Sequence, residues 1–211
     1  MLGTRTDTLS AYKLLLGLFT CSPHARRHHN RSLRAPTPFR KILKTNDIQL
    51  LGLAILQADY ANATHAAAIV DVLETYACDP MGGGKPLSDY TKANLVTELA
   101  ARAFILSVLA FDGSKAIGLV NCIEGFSTFA CRPLVNIHDV AVIPAYRSLG
   151  VATKMLAHVE RIARTRGACK LTLEVLEGNQ HAVRLYAASG FDGYQLDPAM
   201  GRARFLQKWL D

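Results

Sequence analysis

The stretch "AVIPAYRSLGVATKML", residues 141–156, constrains the fold more than any other part of the chain. It opens apolar, breaks at Ile143-Pro144, passes Arg147, Ser148 and Gly150, and continues in a helical pattern. Val151, Met155, Leu156, Val159, Ile162 and Ala163 recur at helical spacing, with Lys154, Arg161 and Arg164 opposite them, which predicts an amphipathic helix with one buried stripe. A strand that turns directly into such a helix leaves the helix's first amide N–H groups without intrahelical partners, at the positive end of its dipole. That end attracts anions. Gly150 and Ala152 permit close backbone approach and Arg147 adds a permanent charge, so the turn suits a pyrophosphate held mostly by main-chain donors. A strand-to-helix turn that simply needs a glycine is the plainer alternative.

The rest of the chain supplies elements around this unit. Residues 48–56 read as a buried strand, 58–77 as a helix, and Asp89 as the cap of a second helix reaching Ala101. Strands are expected at 104–111 and 116–123 about the Asp112-Gly113 turn, then at 134–142, 170–176, and near 191–196 and 203–209. The amphipathic helix extends to Arg166, and another is expected from Gln180 to Ala188. The order is β-α-α-β-β-β-α-β-α-β-β, a mixed α/β single domain without a repeat. "GGGK" at 82–85 lacks the strand before it and the Ser/Thr after the lysine that a phosphate-binding loop needs, and reads as a mobile loop.

The net charge of +7 invites a nucleic-acid reading, but residues 1–47 carry all of it and the remainder balances. A basic folded surface for tracking phosphates is therefore not expected. Residues 1–47, rich in Arg, His and Ser and poor in acids, read as a dispensable basic extension, with residues 48–211 as the folded domain. No run approaches the ~20 apolar residues of a membrane span, so a soluble, cytoplasmic protein is expected. Five cysteines without a C-x-x-C spacing suggest neither a disulfide framework nor a zinc site, and no metal is expected.

The flanks of the opening stretch sharpen the reading. "IHDVAVIPAYRSLGVATKML" followed by "LEV" and "NQHAVRLYAASGF" resembles the GNAT N-acetyltransferase superfamily. Its acyl-CoA signature, R/Q-x-x-G-x-G/A after a strand, falls on Arg147, Gly150 and Ala152. "GFSTFACRPLVNIHDVAVIPAYR" looks most like the polyamine and thialysine acetyltransferase branch. The resemblance implies a GNAT-like fold, a mixed central sheet with splayed central strands and flanking helices, and acetyl-CoA as co-substrate. It implies that strands 134–142 and 170–176 part to admit the pantetheine arm, with backbone groups of Val140 and Val142 bonding to it. The amides of Ser148, Leu149, Gly150, Val151, Ala152 and Thr153 would take the pyrophosphate, and Asn179 would reach the cofactor near its thioester. A homodimer is also implied. Two departures stand out: Ser148 occupies a position that many members fill with glycine, and His138 stands where the polyamine branch carries a catalytic glutamate.

Acetyl transfer to an amine needs a neutral nitrogen, a donor for the developing oxyanion and a proton for the departing thiolate. Tyr186 is the expected acid, since a phenol donates without being charged; packing with Leu185 and Phe191 is its bland role. The N–H of Val140 or Val142 is the expected oxyanion donor. His138 can accept the amine's proton, and period-two alternation puts Asn136, His138, Val140 and Val142 on one face unless a bulge intervenes, which would invert the arrangement. Asp139 and Glu124 are alternative bases or ammonium anchors. The expected activity is acetyl transfer to a primary amine of a small molecule by direct attack in a ternary complex. A protein lysine or N-terminal acetyltransferase and a non-catalytic acyl-CoA-binding module are the rival readings.

Overall fold

A computed structural model describes residues 52–194 together with 197, 199, 201 and 203–210. The extension 1–47 and the first residues of the expected strand at 48–56 lie outside these. Strand β1 is Leu53–Gln57 and helix α1 Ala63–Ala77. Asn62 sets the start of α1, its side-chain oxygen accepting from the amides of Thr64 and His65, the usual means of satisfying donors in a first turn. Helix α2 is Asp89–Ala100. Its cap is Ser88, whose hydroxyl oxygen accepts from the Thr91 amide at 3.1 Å, and not Asp89, which occupies the first helical position. Strands β2 (Ile105–Asp112), β3 (Lys115–Ser127) and β4 (Arg132–Val142) follow, then helix α3 (Val151–Thr165), strand β5 (Leu171–Leu173) and helix α4 (Gln180–Ala188).

The five strands form one sheet in sequential order, antiparallel from β1 to β4 and parallel between β4 and β5. A parallel neighbour requires a crossover, and α3 supplies it. The buried stripe of α3, led by Met155, Val151 and Val159, packs against Val108, Val120, Cys122, Val135 and Ile137 on one face of the sheet. Ile69 and Val72 of α1 and Leu99 of α2 cover Leu109, Leu119 and Ala141 on the other. The sheet is thus a layer between helices, which is why its central strands are apolar on both faces.

Three expectations about strands are corrected. The strand expected at 170–176 is regular only over Leu171–Leu173. Residues 191–194 and 203–210 form no strand. In the latter segment the apolar residues fall in adjacent pairs, Phe205-Leu206 and Trp209-Leu210, all exposed, so strand geometry would split each pair between opposite faces. The loop expected around "GGGK" is built: Pro80–Gly82 is a 3₁₀ turn capped by Asp79, whose carboxylate accepts from the Met81 amide at 2.8 Å.

Candidate active site

β4 and α3 meet at the turn Ile143–Gly150. Gly150 is the N-cap of α3, at φ 78°, and no side chain caps the helix. A side chain at 150 would have open space around it, so the left-handed backbone is what calls for glycine there. Ser148 also lies at positive φ, 62°, so the turn holds a non-glycine residue in a conformation that glycine adopts at less cost. The first amides of α3, from Val151 to Thr153, emerge into a cleft of about 500 Å³ that Ser148, Gly150, Val151, Ala152 and Thr153 line in part. Leu149 does not line it and packs on the α3-side core.

The cleft exists because β4 and β5 stop pairing. Their ladder runs only from Val135 to Ile137, and the next residue is a bulge: Cys122 faces Ile137 while its neighbour Asn121 faces Asp139, leaving His138 unpaired. A bulge kinks its strand and increases local twist. Beyond it, the Ile143 amide donates to the Ile117 carbonyl at 3.0 Å. Antiparallel pairing alternates bonded and outward-facing residues, so Val142 and Val140 turn their backbone groups away from β3. Both line the cleft. The Val142 carbonyl accepts from Nε of Arg147 at 3.0 Å.

The bulge overturns the expected sharing of a face by Asn136, His138, Val140 and Val142. Val140 and Val142 pack with the α3-side core, as Val135 and Ile137 do, whereas Ala141 belongs to the α1-side core. His138 is exposed and does not line the cleft. Asp139 instead takes the α1 side, where its Oδ2 accepts from the Asn121 side-chain amide at 3.0 Å. Glu124 is held by Arg166 at 3.0 Å, which leaves its charge matched within the chain.

Tyr186 lines the cleft from α4 and lies edge-on to Phe191, ring centroids 6.0 Å apart. Burial, with a smaller contribution from Tyr76, pushes its hydroxyl up to about 12, so it keeps its proton. Asn179 also lines the cleft, but its side-chain oxygen caps α4 by accepting from the Ala182 amide at 3.1 Å.

Tyr76, Asp79 and Met81 complete the opposite wall, and sequence reading missed them. Asp79 pairs with Nη2 of Arg147 at 2.9 Å, linking the α1–α2 loop to the turn before α3. Gly82 makes this fold possible, since a Cβ there would stand 2.0 Å from the Tyr76 carbonyl oxygen. Burial, then the charges of Asp139 and Asp79, raise Tyr76 above the ordinary phenol range. No local pattern marks these residues, because they reach the site through a contact 68 positions along the chain. His181 and Arg184 also line the cleft from α4; they stand five and two residues before Tyr186, off the i,i+3 and i,i+4 spacing that marks a shared helix face, so no spacing signal tied them to it.

An open parallel pair that leads to an uncapped helix N-terminus defines a site for a long anionic ligand with an extended arm, and an acyl-CoA fits these donors. Comparison with known proteins agrees. Residues 69–191, more than half of the chain, match the model of the Acetyltransferase (GNAT) family, and the chain belongs to that family. It is 37% identical over 79 residues to a thialysine N-epsilon-acetyltransferase of Mus musculus, covering 37% of this chain and 46% of the relative. It is 33% identical over 88 residues to a streptothricin acetyltransferase of Streptomyces lavendulae, covering 40% and 47%. The match thus spans about half the length of these relatives. Among solved structures, an aminoglycoside N-acetyltransferase in complex with CoA shares the fold at TM-score 0.58 and 21% identity, over 74% of this chain and 94% of that one. A probable acetyltransferase does so at TM-score 0.63 and 19% identity, over 75% and 99%. Among the described residues no group of three or more His, Cys, Asp or Glu side chains could hold a metal ion, and no helix is long and apolar enough to cross a membrane.

Proposed function

We propose that the protein transfers an acetyl group from acetyl-CoA to a primary amine of a small molecule, by direct attack in a ternary complex. One observation carries the reading: the uncapped N-terminus of α3 and Tyr186 line the same cleft. Family membership supports it, as do the names of relatives and structural neighbours, which concern thialysine, streptothricin and aminoglycosides. When bound, acetyl-CoA would supply the acyl thioester. The amides from Ser148 to Thr153, with the charge of Arg147, would hold its pyrophosphate, while outward backbone groups of Val140 and the N–H of Val142 would hold its arm. Tyr186, which lines the cleft, would give its hydroxyl proton to the departing thiolate as general acid. Asp139, on the α1 side of β4, offers a carboxylate for the acceptor's ammonium group. His138 stands outside the cleft and is not assigned the base; deprotonation of the amine falls to water. A cytoplasmic homodimer accompanies this reading.

The test is thiol release from acetyl-CoA against thialysine, a linear diamine, an aminoglycoside and a lysine-containing peptide. Turnover of the first three and not the peptide is expected. Preference for the peptide would assign a protein acetyltransferase, and acetyl-CoA binding without thiol release a non-catalytic module.

A further inference from the structure

Among the described residues, the buried polar or charged side chains are Ser107 and Asn121. They lie side by side in the sheet: Ser107 faces Asn121 across β2 and β3, and Asn121 faces Asp139 across β3 and β4. The neighbouring row on the same face is Leu109, Leu119 and Ala141, part of the apolar core under α1. A polar row therefore replaces an apolar one, and burying it has a cost unless every group is bonded. Each group is bonded. Tyr60 Oη lies 3.0 Å from Ser107 Oγ, Ser107 Oγ donates to Asn121 Oδ1 at 2.6 Å, and Asn121 Nδ2 donates to Asp139 Oδ2 at 3.0 Å.

The direction of this chain is fixed from its far end. A carboxylate only accepts, so the amide nitrogen of Asn121 must face Asp139 and its oxygen must face Ser107. The single Ser107 proton is thereby committed to Asn121, and Tyr60 must donate to Ser107. Every dipole in the row points toward Asp139. An amide does not pass protons along such a chain, so the row orients a charge and does not conduct. Asp139 does not itself line the cleft, but Val140 beside it and Ala141 on the same face of β4 do, and the His138 bulge is what brings Asp139 into this row.

We propose that Tyr60, Ser107 and Asn121 are positioning residues that hold the Asp139 carboxylate as the anchor for the acceptor's ammonium group. The proposal rests on the N-acetyltransferase reading for the identity of the acceptor. The test uses the full chain and measures calorimetric affinity for thialysine, a linear diamine and an aminoglycoside, calorimetric affinity for acetyl-CoA, and kcat and KM. Asn121→Ala and Ser107→Ala are expected to weaken amine binding and raise amine KM about tenfold, equal to about 1.4 kcal/mol, with acetyl-CoA affinity and kcat little changed. Ser107→Thr should restore much of the loss. Asn121→Ala should add little to Asp139→Asn in the double variant, because both act at one carboxylate. Tyr60→Phe, at the partly exposed end, carries the test if the buried variants fail to fold, and is expected to raise amine KM by a factor of about two to three, less than a bond made directly to a charged group. Wild-type amine affinity in Asp139→Asn, or in Asn121→Ala and Tyr60→Phe, would overturn the proposal, as would full additivity. Asp139-dependent amine binding without thiol release would leave the relay standing and remove the activity reading instead.

Discussion

The hydroxyl of Tyr186 is the donor on which the proposed acetyl transfer turns. Tyr186 was legible because its neighbours in "NQHAVRLYAASGF" fix it on a short helix, and that helix forms the cleft wall. Replacing it with Phe keeps the ring and removes the donor, so kcat is expected to fall by about 10²- to 10⁴-fold while calorimetric acetyl-CoA affinity holds. The wild-type rate should also show no loss attributable to phenol ionisation as pH passes 10, because burial pushes the hydroxyl up to about 12; the alkaline limb of a kcat profile measures this. Alternation puts His138 on the cofactor side only where no bulge intervenes. Alternation is a property of one strand, whereas the bulge is decided by the register of β3 against β4, which no local pattern encodes. His138→Gln is accordingly expected to leave kcat and kcat/KM as in wild type, and a large loss of turnover in the variant would return the histidine to the mechanism.

The element that the sequence described best is the β4-turn-α3 unit, since its periodicity, glycine and arginine all lie within one short stretch. Gly150→Asp would combine a side chain at φ 78° with a carboxylate at the open helix end, opposing an anion by both strain and charge. Calorimetry should then detect little acetyl-CoA binding, and retained affinity would separate the turn from the cofactor. The α1–α2 loop was the least legible element, because its structure depends on Gly82 meeting the end of α1 and on Asp79 meeting Arg147. The Met81 amide, then Arg147, hold the Asp79 carboxyl below its ordinary 3.8. A carboxyl so depressed contributes stability at pH above its ordinary value and loses that contribution as pH falls through its folded-state value. Asp79→Asn should therefore flatten the acid limb of a urea-unfolding series below pH 3.8, with a change at neutral pH of no more than ~1 kcal/mol, as for other partly exposed ion pairs.

For the molecule as a whole, the family match at 69–191 and the charge balance beyond residue 47 set the expectation for truncation. Removing residues 1–47 should leave acetyl-CoA affinity and thiol release unchanged, and a folded but inactive truncation would tie that segment to the site. No strand forms over residues 191–194 or 203–210, and near 203–209 the sequence itself carries the reason, since its apolar residues sit in adjacent pairs and do not alternate. The unpaired residue in β4 has a further meaning, one of parity. In a two-faced ribbon each residue belongs to an odd or an even side, and one extra residue exchanges the sides of everything after it. Losing His138 would remove that kink yet keep Asp139 opposite Asn121 and Ala141 opposite Leu119. Losing Ile137 would instead drive the histidine into the apolar layer under α3. Position 138 is thus the place in β4 where the strand can change length by a whole residue while the membership of both faces stays the same, which lets the parting of β4 from β5 vary without altering which side chains line either face.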